Sequence, residues 1–187
     1  MGSTTQLDHH SKFPEDPSDA LEEMMSRYGS LVLRTAYFYL GDRFLAEDAS
    51  QEAFMKAYRN WKKFRGDSSV KTWIVKITIH VCYDKLRKKS SKEQPIDPAE
   101  VMTPVHYDLE QEVIKKMEST QILKYVLQLP PHYQEVIYLY YYLDFNTLEI
   151  AKMTGTRDGT IRTRLHRARS LIEDLITKED LIHEGSK

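Results

Sequence analysis

Apolar residues in this chain recur at every third or fourth position over long stretches. That period commits most of the sequence to amphipathic helices packed on one another. Asp16-Pro17-Ser18 is a helix-start signal, since proline is tolerated in a first turn. Behind it Leu21, Met24, Met25, Tyr28, Leu31, Val32, Thr35, Ala36, Tyr39 and Leu40 form a run that Gly41 stops. The next stripe, from about 44 to 64, carries Leu45, Ala49, Ala53, Phe54, Ala57, Tyr58 and Trp61. Arg65 to Ser69 is a polar break. A third helix is expected from about 71 to 89, with Trp73, Ile74, Ile77, Val81 and Leu86 inward. No strand-turn-strand signal interrupts the series, so the expected fold class is all-α.

The period is lost between 90 and 108, where Ser90, Ser91, Pro95, Pro98 and Pro104 stand among scattered acids. Such a segment reads as a flexible linker between two small helical domains, which 187 residues can accommodate. The expected organisation is a loose tail over 1–17, a first domain over 18–90, the linker over 91–108, a second domain over 109–178 and a tail over 179–187. In the second domain Val113, Met117, Ile122, Val126 and Leu129 continue the helical pattern. Pro130-Pro131 restarts it, and Val136, Ile137, Leu139 and Tyr140 lead into a helix-turn-helix-like segment.

The formal net charge is −1, so nucleic-acid binding would need locally concentrated positive charge. A single cysteine, Cys82, rules out an intramolecular disulfide and a cysteine zinc cluster, and suits a reducing cytoplasm. Cys82 lies among apolar neighbours and reads as packing. Charge breaks every apolar stretch before it could span a bilayer. The seven histidines are scattered, and there is no His-Glu-x-x-His, phosphate loop or Gly-x-Ser-x-Gly. Glu47, Asp48 and Glu52 share one helix among cations, a poor cage for a divalent ion. No catalytic residue, metal, cofactor or small-molecule substrate is therefore expected.

The most informative stretch runs from Phe145 to Arg169. A short helix would turn Leu148, Ile150, Ala151 and Met153 toward a core, Gly155 would supply the positive φ of a tight turn, and a second helix would bury Ile161, Leu165 and Ala168. Between those buried positions stand Arg157, Arg162, Arg164, Arg167 and Arg169 against one acid, Asp158. A basic helix behind a short turn suits the major groove of DNA, although a solvated basic face is the plainer reading. Leu129-Pro130-Pro131, Tyr133-Gln134-Glu135-Val136, Glu149-Ile150-Ala151 and Gly159 to Arg169 resemble region four of extracytoplasmic-function sigma factors. That resemblance implies recognition of the minus-thirty-five promoter element by Arg157, Thr160, Arg162, Thr163, His166 and Arg167. Arg157 and Asp158 replace the serine and small apolar residue usual in the family; Thr156 would cap the helix instead, and Asp158 suits the helix dipole.

In the first domain Asp48, Gln51 and Glu52 fall on adjacent helical turns, where surface ion pairs with Lys or Arg are the ordinary outcome. The segment around them, with Phe54, is similar to sigma region two, whose Asp-x-x-Gln-Glu-x-Phe pattern docks on the clamp helices of RNA polymerase. The same resemblance implies that the loop from Phe64 to Lys71 holds an extruded base of the melted minus-ten element. It assigns Phe64, Arg65, Ser68, Ser69, Lys71, Trp73, Lys76 and Arg87 to that strand. Aromatics beside a polar loop and basic residues make a platform for unpaired bases, although Trp61, Phe64 and Trp73 could also be core. Ile79-His80 stands where the family often carries Arg-Asn, and His80 reads as a helix histidine satisfied within the fold.

The implied partners are core RNA polymerase, through its beta-prime clamp helices and beta flap, and promoter DNA, with the free chain a monomer. The resemblance also implies an anti-sigma factor, since free sigma factors of this family are usually sequestered; Tyr138, Tyr140, Tyr141 and Tyr142 cannot all face inward on one helix, and the exposed remainder could meet such a partner. The competing reading is a free-standing helix-turn-helix regulator, which would bind duplex DNA tightly without polymerase.

Overall fold

The computed structural model describes residues 13–90 and 122–184. The expected linker, the helical pattern from 109 to 121 and most of the expected N-terminal tail lie outside those residues. Among the described residues the fold is all-α. The first domain comprises α1 (Pro17–Leu40), α2 (Arg43–Asn60) and α3 (Val70–Ser90), with a short 3-10 turn at Trp61–Lys63. The second comprises α4 (Ile122–Val126), α5 (Pro131–Ile137), a π-helical turn at Tyr138–Tyr142, α6 (Thr147–Thr154) and α7 (Asp158–Glu184).

Local sequence sets most of these ends. Asp16 caps α1 by accepting from the backbone N–H of Ser18 at 2.8 Å and of Asp19 at 3.2 Å. Gly41, at φ 63°, closes the helix by donating to the Tyr37 carbonyl. Asp42 then caps α2 through the Leu45 N–H. Ala46, Ala49, Ala53 and Ala57 form a fully buried small-residue stripe on α2, which lets it lie close against its neighbours. Met24 and Tyr39 of α1 and Ile74 and Ile79 of α3 are buried in the same hydrophobic core.

Several side chains depart from the expected pattern. Phe13 is not part of a loose tail: it packs against Tyr28 and Trp61, and the Pro14 carbonyl accepts from the Trp61 indole N–H at 2.9 Å. Burying those rings offsets the cost of ordering the segment ahead of α1. Leu148 does not join the core. It is 58 % exposed, because α6 buries only its Ile150 and Met153 edge. Met25 is likewise exposed on α1. At the other end α7 continues to Glu184, past the expected boundary at 178.

The two domains pack directly on one another. The Tyr39 hydroxyl donates to Glu135 at 2.7 Å, and the Tyr83 hydroxyl reaches the same carboxylate oxygen. Phe38 stacks on Tyr138 with ring centroids 4.0 Å apart, and Tyr138 also meets Thr35. The tyrosine run is thus divided. Tyr138 is buried against the first domain, while Tyr141 is exposed and accepts a hydrogen bond from the Arg169 guanidinium. The π-helical turn, closed by Leu143 N–H on the Tyr138 carbonyl at 3.1 Å, lets the run present different faces within five residues.

Candidate nucleic-acid and polymerase interfaces

Helix α7 presents the second domain's basic face. Asn146 and Glu149 form a reciprocal capping box at the start of α6, and Gly155, at φ 67°, turns the chain out of it. Arg157 stands at the cap position of α7, its carbonyl accepting from Thr160 and Ile161. Thr156 instead donates its backbone N–H to the Ala151 carbonyl, closing α6, so it does not take the capping place that the sequence suggests. Ile161, Leu165 and Ala168 are buried, as the spacing predicts. Arg157, Thr160, Arg162, Thr163, His166 and Arg167 are all exposed. At 100° per residue, Thr160 to Arg167 sweep an arc of about 160° opposite the buried edge. Asp158 holds Arg162 at 2.6 Å, and the Thr163 hydroxyl donates back to the Gly159 carbonyl. Those two side chains are therefore pre-positioned along the helix.

The aromatic platform beside the 64–71 loop is tightly assembled. Trp61 and Phe64 stack at 5.3 Å, and Phe64 and Trp73 lie 4.9 Å apart. Trp61 is buried, whereas Phe64 and Trp73 keep part of their surface open. Arg65 and Ser69 are exposed, and Arg65 faces Asp67 at 3.4 Å across the turn made by Gly66. Ser69 caps α3 through the Thr72 N–H. Arg87 is exposed one turn before the end of α3, beside Asp84. Lys71 points elsewhere: its ammonium donates to the Leu143 carbonyl at 3.0 Å and lies over the Phe145 ring, both in the second domain.

Along α2 the acids make the ion pairs that their spacing favours. Lys85 bridges Asp48 and Glu52, and Lys56 lies 3.1 Å from Glu52. Burial would raise the Glu52 carboxyl, but Lys56 and Lys85 outweigh it and hold the group below its ordinary value. Asp48 keeps 67 % of its side chain exposed, with Gln51 exposed one turn on. Phe54 is only 8 % exposed and supports α2 from beneath. Phe44, 81 % exposed, and the exposed Met55 and Tyr58 extend Asp48 and Gln51 into one continuous stripe. Sequence reasoning missed Phe44 and Met55 as surface groups. The signal was present, since both fall outside the Ala46–Ala57 edge.

His80 is satisfied, its Nε2 bonding the Met153 carbonyl at 3.1 Å. Burial pushes the Cys82 thiol up to about 12, which fits a packing role. Among the described residues no group of three or more His, Cys, Asp or Glu is placed to hold a metal ion, and no helix is long and apolar enough to cross a membrane.

Comparison with known proteins agrees with this division. The Sigma-70 region 2 family matches residues 24–92 and the Sigma-70 region 4 family matches residues 119–172. The RNA polymerase sigma factor SigV of Bacillus subtilis is 30% identical over 152 residues, covering 79% of this chain and 86% of SigV. The ECF RNA polymerase sigma factor SigW of the same organism is 29% identical over 163 residues, covering 82% of this chain and 87% of SigW. The fold is also that of the sigma factor RpoE of Bartonella quintana, solved in complex with the anti-sigma factor NepR. Its TM-score is 0.61 at 21% identity, over 83% of this chain and 96% of that one. With both regions present in order and most of each relative's length covered, the chain belongs to the sigma-70 family as an alternative sigma factor of the extracytoplasmic-function type.

Proposed function

We propose that the chain directs promoter-specific initiation through three separate surfaces. The α2 stripe, centred on Asp48, Gln51 and Glu52, docks on the clamp helices of core RNA polymerase, with Phe54 holding the helix in place from below. The loop at 64–71, with Trp73, Lys76 and Arg87, captures the unpaired minus-ten strand. Helix α7 reads the minus-thirty-five duplex through Arg157, Thr160, Arg162, Thr163, His166 and Arg167. The observation that carries this reading is the placement of Thr160, Arg162, Thr163, His166 and Arg167 on the exposed side of α7, opposite the buried Ile161, Leu165 and Ala168, with Arg157 exposed at its cap.

Each interface can be weak while the whole is tight, because the shared chain raises the effective concentration of one module once the other is bound. The near-zero net charge fits this division of labour, with polymerase supplying much of the DNA affinity. Two solved structures of similar fold are complexes of sigma factors with anti-sigma partners, RpoE with NepR and CnrH with the cytosolic domain of CnrY. They support the same kind of control here, with the chain working on the cytoplasmic side.

Run-off transcription with core polymerase on genomic fragments tests the reading. Defined start sites that require this chain are the expected result. Tight, sequence-specific duplex binding by the chain alone, with no effect on initiation, would overturn it in favour of a free-standing regulator.

A further inference from the structure

Trp61 is the hub of the aromatic cluster beside the 64–71 loop. It stacks on Phe64 at 5.3 Å with an interplanar angle of 15° and meets Trp73 at 5.9 Å. Trp61 itself is buried, while Phe64 and Trp73 keep part of their surface open. A third ring, Phe13, lies 5.8 Å from Trp61 and comes from the segment ahead of α1. A buried indole N–H needs an acceptor, and the Pro14 carbonyl supplies it at 2.9 Å. Two adjacent residues of one short segment thus hold Trp61, one by its ring and one by its N–H.

The segment is itself anchored. Asp16 caps α1 and Pro17 opens its first turn, so the chain leaves the helix in a fixed direction. Phe13 stacks on Tyr28 at 6.4 Å with an interplanar angle of 13°, and the Arg27 guanidinium lies over its ring at 5.2 Å. Covering apolar surface would ask only for an apolar side chain. A hydrogen bond and an aromatic contact are both directional, so together they also fix the orientation of Trp61.

We propose that Phe13 and Pro14 form a strap that positions the minus-ten platform: by fixing Trp61 they hold the open faces of Phe64 and Trp73 ready to stack on an unpaired base. The inference rests on the proposed minus-ten role of the 64–71 loop. A ring already held in its binding orientation loses less freedom when a base stacks on it, so the strap acts on strand capture and not on polymerase binding. Phe13 and Pro14 are positioning residues that do not themselves meet the strand. They lie ahead of residue 24, where the Sigma-70 region 2 match begins.

The test uses holoenzyme made from the full chain and core polymerase, on a promoter duplex taken from the run-off starts. Single non-template bases of its minus-ten element are replaced by 2-aminopurine, whose fluorescence rises on unstacking and reads the opening equilibrium. Trp61 and Trp73 are the chain's two tryptophans, so near-ultraviolet circular dichroism of the free chain reports on the platform directly. Phe13→Ala should change that signal while leaving the far-ultraviolet helical signal and the affinity for core polymerase unchanged. It should lower the opening constant about fivefold. Phe13→Tyr keeps the ring and should restore opening; Phe13→Leu keeps apolar bulk without a ring and should not. These two variants decide the matter even where the alanine variant unfolds. Phe64→Ala, which removes part of the platform, should lower the opening constant about tenfold. Normal opening with Phe13→Ala but poor opening with Phe64→Ala would overturn the strap and leave the minus-ten assignment standing. Equal recovery by Leu and Tyr would reduce Phe13 to an anchor of the fold and overturn its positioning role. Normal opening with Phe64→Ala would remove the minus-ten platform, and the strap's role with it.

Discussion

The Tyr39 hydroxyl donates to Glu135 Oε1 across 2.7 Å, joining two fully buried residues 96 positions apart and in different domains. Burial first, then the nearby Glu135 charge, pushes the Tyr39 phenol well above its ordinary value, so it stays a neutral donor. A buried carboxylate is tolerated only while its lone pairs are occupied. Tyr39→Phe keeps the ring and removes one donor, and should destabilise the chain by about 1–3 kcal/mol in urea denaturation. A change below about 0.5 kcal/mol would mean that the bond carries little of the domain contact.

The acidic face of α2 makes the opposite expectation. Asp48 and Glu52 pair with Lys85 and Lys56 at a partly open surface, where such pairs contribute little. Asp48→Ala with Glu52→Ala should cost less than about 1 kcal/mol of stability. Their larger effect should be on assembly, measured by native gel shift with core polymerase, where at least roughly tenfold weaker binding is expected. Reduced stability with unchanged binding would confine these acids to holding α2 against α3.

His80 gives the domain contact a pH dependence. Burial, helped by Lys76, holds its imidazole below the ordinary value, against the opposing pull of the Met153 carbonyl and Asp84. A base whose pKa falls on folding binds more protons in the unfolded chain, so stability rises with pH in that window. The contribution is therefore present above about pH 6.5 and is lost as pH falls below it. His80→Gln retains an N–H for the Met153 carbonyl and removes the titration. The shift in urea midpoint between about pH 7.5 and about pH 5.5 should be smaller in the variant than in the parent. Identical shifts would sink the assignment.

Much of this architecture is legible in the residue pattern. The α1 run ends at Gly41 as its spacing predicts, and the buried edge of α7 falls on Ile161, Leu165 and Ala168. Both follow from local rules, a period of 3.6 and a left-handed stop. What the pattern hides is set by partners distant in sequence. Phe13 reads as tail because nothing nearby in the chain reveals that Trp61 covers it. Leu148 fits the apolar period but faces outward, since α6 is short and α7 covers only one edge. Motif and loop chemistry single out Glu135 and Lys71, yet neither residue signals that the two domains meet there. Periodicity names the faces of a helix and is silent on which other helix takes them.

The arginines of α7 allow base reading to be separated from charge. Arg162 is braced by Asp158 at 2.6 Å, while Arg167 lies one to two turns further along the exposed arc. A braced guanidinium has less rotamer freedom to lose on binding, which favours a fixed, bidentate contact to a base edge. An arginine that meets phosphate instead contributes a sequence-independent, salt-sensitive share. Arg162→Ala with Arg167→Ala should leave polymerase binding intact and lower promoter-specific initiation, each residue accounting for about 1–3 kcal/mol. The single variants then separate the roles in a run-off assay across promoter point mutants. If Arg162 reads a base, its alanine variant should no longer discriminate at one minus-thirty-five position. If Arg167 meets phosphate, its alanine variant should weaken all promoters alike and flatten the salt dependence. An equal decrease at every promoter for both variants would place both arginines on the backbone and leave base reading to Thr160, Thr163 and His166.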